Sequence, residues 1–136
     1  MDDVEMAAQA GACHLELGLV PSARQSLESA VGLLAATAPH RVRDRIHYLS
    51  RLARCHIRER EVEQGCRVAT EALQLSQAVA SARVAGKLAE FDEEVSGFTA
   101  LAPVHGFREM FHQVMSVRVS FLKGRACGEH PGRQPA

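Results

Sequence analysis

Tryptophan is absent from this chain of 136 residues, tyrosine occurs once, and aromatic residues together make up 4%. Its core must therefore be assembled from Ala, Leu and Val, which suit closely packed helices better than a sandwich of sheets. Lysine is nearly missing as well. Lys87 and Lys123 are the two lysines among 16 basic residues, so 14 are arginine, the imprint of a GC-rich genome. Neither sign of charge is in excess, with 16 basic and 16 acidic residues and a pI of about 7.1. That balance implies neither long-range attraction to nucleic acid nor attachment to an anionic membrane. No apolar run approaches the ~20 residues of a membrane span, and Met1-Asp2-Asp3 places acids where a signal peptide carries base. A cytoplasmic location is expected. Cysteine pairs are lacking too: Cys13, Cys55, Cys66 and Cys127 are widely scattered and form no Cys-x-x-Cys. Free, mostly buried thiols are the expectation.

Signatures of catalysis are equally scarce. There is no Gly-x-x-x-x-Gly-Lys-Ser/Thr phosphate loop, no His-Glu-x-x-His helix and no Gly-x-Ser-x-Gly elbow. Glu93-Glu94 and Asp2-Asp3 are adjacent carboxylates, most simply solvated, because acid–base work would need a cleft that the sequence does not announce. His14 and His56 each follow a cysteine, but neighbouring residues on a helix point about 100° apart, so one such pair does not converge on an ion. Core or interface histidines are expected there. Cys127-Gly-Glu-His130 offers two ligands and lacks two more. The expectation is no enzyme, no metal and no cofactor.

What is present is helical periodicity, dominant as far as about residue 96. A first helix is expected from about Asp2 to Leu17, with Asp2, Asp3 and Glu5 suited to its positive end and Gly18 as its stop. Pro21-Ser22 opens a second, where Ser22 and Gln25 have capping-box spacing and Ala23, Leu27, Ala30, Val31 and Leu34 form the apolar stripe. A break at Thr37-Ala38-Pro39 precedes a long third helix, about His40 to Arg60. The fourth covers about Val62 to Ser76, with Val62, Cys66, Ala69 and Leu73 on one side. The fifth covers about Ala80 to Val95, carrying Val84, Leu88, Phe91 and Val95. A loop around Ser96-Gly97 and Pro103 and a short amphipathic helix through Phe107, Met110, Phe111 and Val114 follow. Val117, Val119 and Phe121 then alternate with polar residues, a strand-like period, and the Gly-, Pro- and Arg-rich stretch from Gly124 to Ala136 reads as disordered.

The chain also resembles itself. At an offset of 42 residues, Gly11 meets Ala53, Cys13-His14 meets Cys55-His56, Leu15 meets Ile57, Ala23 meets Gly65 and Ala30 meets Ala72. Small residues recur where two helices of a hairpin approach closely, and the recurrence explains the Cys-His pairs without a metal. The run Gly11, Gly18, Ala23, Leu27, Ala30 resembles the skeleton of a tetratricopeptide repeat, and Ala53, Gly65, Ala69 and Ala72 repeat it less well, over about residues 4 to 79. The family period is about 34 residues, so the extra length implies a longer connection around Thr37 to Asp44. Ala7, Leu49, His14 and His56 stand at the family's aromatic positions, and its proline after the second helix is missing. The runs Arg51-Leu52-Ala53-Arg54, Ala69-Thr70-Glu71-Ala72-Leu73, Ser81-Ala82-Arg83-Val84 and Phe107-Arg108-Glu109-Met110-Phe111 are similar to the C-terminal part of actinobacterial helix-turn-helix transcriptional regulators. The first repeat begins almost at Met1 with no helix-turn-helix before it, so DNA binding is not carried over, and a fragment, a truncated gene or a stand-alone sensor half is the expectation. The resemblance implies an all-α fold of TPR-like antiparallel hairpins stacked as a short right-handed solenoid with a capping helix. It would occupy residues 1–96, followed by a loop and short helix over 97–123 and a disordered tail over 124–136.

One pattern bears on function. On the third helix Arg43, His47, Arg51, Arg54 and Arg58 fall within a wedge of roughly 80°, with Ile46, Leu49, Leu52 and Ala53 largely opposite. The resemblance turns His47, Ser50, Arg54 and Arg58 toward a concave groove, where guanidiniums grip carboxylates or phosphates in pairs of bonds. The competing reading is a solvated arginine face paired with Glu59, Glu63 and Glu71. The expected function is a non-enzymatic protein-interaction or ligand-sensing module, like the regulatory half of such a regulator. Its expected partner is a protein or acidic peptide segment, held by His47, Arg51, Arg54 and Arg58. The alternative is a structural dimerisation module. A homodimer is also expected from Val4, Ala7, Ala8 and Leu15, which form an apolar face on the first helix with no obvious cover.

Overall fold

The computed structural model describes the backbone of residues 2–133 and the side chains of residues 2–118. Six α-helices follow in order: α1 Asp3–Glu16, α2 Val20–Thr37, α3 Val42–Arg58, α4 Val62–Ser76, α5 Ala82–Val95 and α6 Ala102–Arg133, with a 3-10 turn Ser96–Phe98 before the last. No strand occurs among the described residues, so the chain is all-α. The strand-like period at Val117, Val119 and Phe121 lies inside α6, where a two-residue alternation has no neighbouring strand to pair with. Residues 134–136, and the side chains of the stretch from Gly124 read as a tail, lie outside the described residues. No helix among the described residues is long and apolar enough to cross a membrane.

α1 packs on α2 and α3 on α4, two antiparallel hairpins joined by contact of α2 with α3. α5 lies against α3 and α4, and α6 runs along α4. The core divides into two clusters that share α3. Tyr48, Leu52 and Cys55 face the first hairpin, while Ile46, Leu49, Ala53 and Ile57 face α4, α5 and α6. α3 is thus walled on two sides, which leaves one polar strip for function. The expected stripes of the other helices are buried at Ala23, Leu27, Ala30 and Leu34 on α2, Cys66, Ala69 and Leu73 on α4, and Val84, Leu88, Phe91 and Val95 on α5, while Val31 and Val62 of those stripes are half-buried at the edge of the core. Each buried Leu or Phe contributes about 1.5–3 kcal/mol against exposure. Phe107 of α6 meets the Phe91 ring edge-on at 5.0 Å and stacks on Phe111 at 6.0 Å, closing the far end.

Four expectations change. The capping box belongs to α1: the Asp2 side chain accepts from the Glu5 N–H at 2.7 Å and the Glu5 carboxylate accepts from the Asp2 N–H. α2 starts at Val20 without a side-chain cap, and Pro21 in its first turn needs no donor partner. The link before α3 is only residues 38–41, since the length beyond a 34-residue period is taken up as helix, with 18 residues in α2 and 17 in α3. Finally, Val4, Ala8 and Leu15 are covered within the chain by α2 and α3, at 4%, 5% and 6% exposure, and Ala7 is half-buried beside them. That face therefore needs no second copy. The apolar side chains left in solvent are Met6, Leu17, Leu19, Leu33, Leu101 and Val117.

Candidate functional site

The arginine strip of α3 is divided in two by α5. Its C-terminal half is occupied: Arg54 Nε donates to Glu94 Oε2 at 2.7 Å, and Arg58 Nε donates to Glu94 Oε1 at 3.0 Å. Glu90 stands 3.9 Å from Arg54 Nη1. One carboxylate of α5 thus bridges two guanidiniums of α3 and pins the helices together. Each of these part-exposed pairs contributes about 0.2–1 kcal/mol. The glutamates proposed from sequence as partners of this strip are engaged elsewhere, Glu59 with Arg24, Glu63 with Arg67 and Glu71 with Arg45. Ser50 does not reach a groove. It is 1% exposed, and its hydroxyl donates to the Ile46 carbonyl at 2.8 Å.

The N-terminal half of the strip stays open. A cleft of about 320 Å³ lies where α3 meets the start of α5, lined by Arg43, Asp44, His47, Tyr48 and Arg51 from α3 and by Ser81 and Arg83 from α5. Local sequence builds it simply. Positions 43, 47 and 51 repeat every four residues and so stack on one face. Ser81 caps α5 by accepting from the Val84 N–H at 3.3 Å, which directs the first turn of that helix, and Arg83 with it, at the strip. Arg43, Arg51 and Arg83 have no carboxylate within ion-pair distance among the described residues. Asp44 is held by Arg41 Nε at 2.8 Å.

His47 sits between these cations. Burial, then the charges of Arg83, Arg51 and Lys87, push its imidazole below the usual histidine range, with Asp44 pulling the other way. Its Nδ1 is buried and has no hydrogen-bond partner. Its surroundings therefore favour the neutral ring, and an anion beside it would favour the protonated one. A second hollow of about 420 Å³, lined by His40, Arg41, Val42 and Val79, shares Arg43 and Asp44 with the cleft.

Of the four residues expected to hold a ligand, the cleft gathers His47 and Arg51, while Arg54 and Arg58 stand on the Glu94 side. Sequence reasoning missed Arg83 as a member of the site. The available signal was Ser81 as a helix cap two residues before it, but which helix α5 would face was not written in the period.

Other polar groups are structural. His56 is 9% exposed, and burial lowers its pKa from the ordinary histidine value. Cys55 and Cys66 are buried free thiols, Cys13 is exposed, and the side chain of Cys127 lies outside the described residues. Asp92, 7% exposed, accepts from Arg108 Nε at 3.0 Å and joins α5 to α6. Arg118 Nη2 donates to the Ser76 and Val79 carbonyls at 2.7 and 3.1 Å, closing the C-terminal end of α4. Among the described residues no group of three or more His, Cys, Asp or Glu is placed to hold a metal ion. No protein-family model matches the chain, and neither the curated proteins nor the solved structures hold a significant match to it.

Proposed function

We propose that this chain is a non-enzymatic binding module that receives an anionic ligand or an acidic protein segment at the cleft between α3 and α5. The observation that carries this reading is the meeting of three carboxylate-free arginines, Arg43, Arg51 and Arg83, around one cleft in a chain of zero formal net charge. In such a chain acidic side chains are as numerous as basic ones, so cations left together without partners favour an anion from outside. The finer architectural reading is a short TPR-like solenoid, in which α1–α2 and α3–α4 are successive repeats and α5 and α6 continue the stack. In support, the same turn recurs after α1 and after α3, and small residues line both hairpins. The regulatory role, by resemblance to the ligand-sensing half of actinobacterial regulators, belongs to the same proposal.

The test is calorimetric titration of a glutamate-rich peptide at low and moderate salt. Saturable binding that weakens with salt is expected, reduced tenfold or more by Arg51→Ala with Arg83→Ala. Arg54→Ala with Arg58→Ala should matter less, because those guanidiniums already hold Glu94. Equal affinity of wild type and the Arg51/Arg83 variant would reject the site.

A structural dimerisation module is the second reading. It is favoured by Leu17 and Leu19, which are 73% and 50% exposed at the turn between α1 and α2. Light scattering of Leu17→Ser with Leu19→Ser separates the two: dimerisation lost in that variant, without effect on peptide affinity, would support it.

A further inference from the structure

We propose that the cleft at α3 and the first turn of α5 takes a phosphoryl dianion, the terminal group of a phosphomonoester, gripped by Arg43, Arg51 and Arg83. This rests on the anion-binding reading above and names its ligand class. Among the described arginines, Arg24, Arg41, Arg45, Arg54, Arg58, Arg67 and Arg108 each hold a carboxylate, and Arg118 holds two carbonyls. That leaves Arg43, Arg51, Arg60 and Arg83 with neither. Arg60 stands alone in the turn after α3, and the other three line this one cleft.

Charge, shape and size then agree on the ligand. Three guanidiniums against the single Asp44 carboxylate leave two positive charges at the cleft wall, matching a phosphoryl dianion better than one carboxylate. Guanidiniums arriving from two helices present forks from different directions, which suits a tetrahedral group with three free oxygens more than a planar one. The N-terminal turn of α5, whose Ser81 and Arg83 line the cleft, adds the positive end of a helix beside the same space. At about 320 Å³ the cleft is at the small end of ligand sites, a size that suits one headgroup. The adjoining hollow, with Val42 and Val79, extends it for the organic part of the ester. His47 reports occupancy. The charges around it are Arg51 and Asp44 on its own helix and Arg83 and Lys87 on α5, and a dianion among them lifts the depressed imidazole pKa.

The experiment uses the full chain with three probes: phenyl phosphate, a phosphoserine peptide, and the same peptide with glutamate in place of phosphoserine. Saturable binding of phenyl phosphate is expected, with an NMR-monitored rise in the His47 pKa on saturation. Affinity should fall tenfold or more in Arg51→Ala/Arg83→Ala and stay unchanged in Arg60→Ala, which removes the same kind of charge elsewhere. Arg51→Lys/Arg83→Lys, which keeps the charge and loses the forks, should also weaken binding and serves if the alanine variant does not fold. A phosphopeptide bound tenfold tighter than phenyl phosphate would assign the group to a modified protein segment, and the reverse order to a small metabolite. Either order supports the site. Binding of the glutamate peptide with none of phenyl phosphate overturns the phosphoryl assignment and leaves the binding module standing, whereas silence of all three probes overturns both. An equal loss in Arg60→Ala overturns the cleft as the site.

Discussion

The hairpins α1–α2 and α3–α4 share one turn and close their helices in opposite ways. After α1 the N–H groups of Leu17, Gly18 and Leu19 donate to the carbonyls of Cys13, Leu15 and His14; after α3 those of Glu59, Arg60 and Glu61 donate to Cys55, Ile57 and His56. The bonds coincide at the same 42-residue offset as the sequence repeat. The close contact, however, is mirrored. In the first hairpin the glycine is on the entering helix, and a Cβ on Gly11 would stand 2.7 Å from Leu27 Cγ. In the second it is on the returning helix, and a Cβ on Gly65 would stand 2.8 Å from Ile57 Cδ1 and 3.0 Å from the Ala53 carbonyl. Where Gly11 makes room for Leu27, the second hairpin has Ala53 and Ala69; where Gly65 makes room for Ile57, the first has Ala23 and Leu15. Each hairpin thus reaches close approach with its own arrangement of small and large side chains, which is how a packed interior tolerates divergence.

The thiols give the largest contrast between the hairpins. Cys13 and Cys55 are repeat equivalents, yet Cys13 is exposed while Cys55 is fully buried and its pKa is pushed up to about 11, chiefly by burial. At pH 8 only about a thousandth of Cys55 is thiolate. Peptide mapping after iodoacetamide treatment should show Cys13 labelled and Cys55 protected by at least about a hundredfold in rate until the chain unfolds, since a thiol raised from 9.0 to about 11 loses that much thiolate before its burial is counted. Comparable labelling of both would mean that α3 is not enclosed on two sides.

The packing exchange is tested next. Leu27→Ala should cost about 2–5 kcal/mol and Gly11→Ala about 1–3 kcal/mol. The double variant reproduces the Ala53/Ala69 pair of the second hairpin, so it should be less destabilised than the sum by about 0.5–3 kcal/mol. Denaturant melts of the four proteins decide it, and strict additivity would break the equivalence of the hairpins.

The smallest effect lies in the turns. Gly18 has φ of 77° and Arg60 has φ of 68°, the left-handed conformation that glycine adopts without strain. Arg60→Gly should therefore stabilise the chain by about 0.5–1 kcal/mol, the left-handed penalty less the entropy glycine adds to the unfolded chain. A rise in thermal midpoint is the readout, and a fall would show that the Arg60 side chain contributes contacts of its own.

Much of this was legible in the chain beforehand. Helix positions and buried stripes followed from period, because Ala23, Leu27, Ala30 and Leu34 can share one face only in a helix. The 42-residue offset located both hairpins, because close approach demands small residues whichever helix supplies them. The ligand strip was only half legible. Positions 43 to 58 of α3 share a face by spacing alone, but spacing says nothing of what lies opposite. Glu94 and Arg83 are both on α5, 11 residues apart, and they give the two halves of that strip contrary fates.

Sequence by itself determined local matters: the helical period of three to four residues, the glycine stop at Gly18, the repeat and the absence of catalytic signatures, all set by interactions within a turn or a hairpin. Tertiary structure decided what α5 does. Laid along α3, it spends Glu94 on Arg54 and Arg58, brings Arg83 to Arg43 and Arg51, and encloses His47 between them. The physical reason is range. Hydrophobic period acts through neighbours three and four residues apart, whereas charge compensation depends on which surfaces meet, and that depends on how two separately specified helices pack.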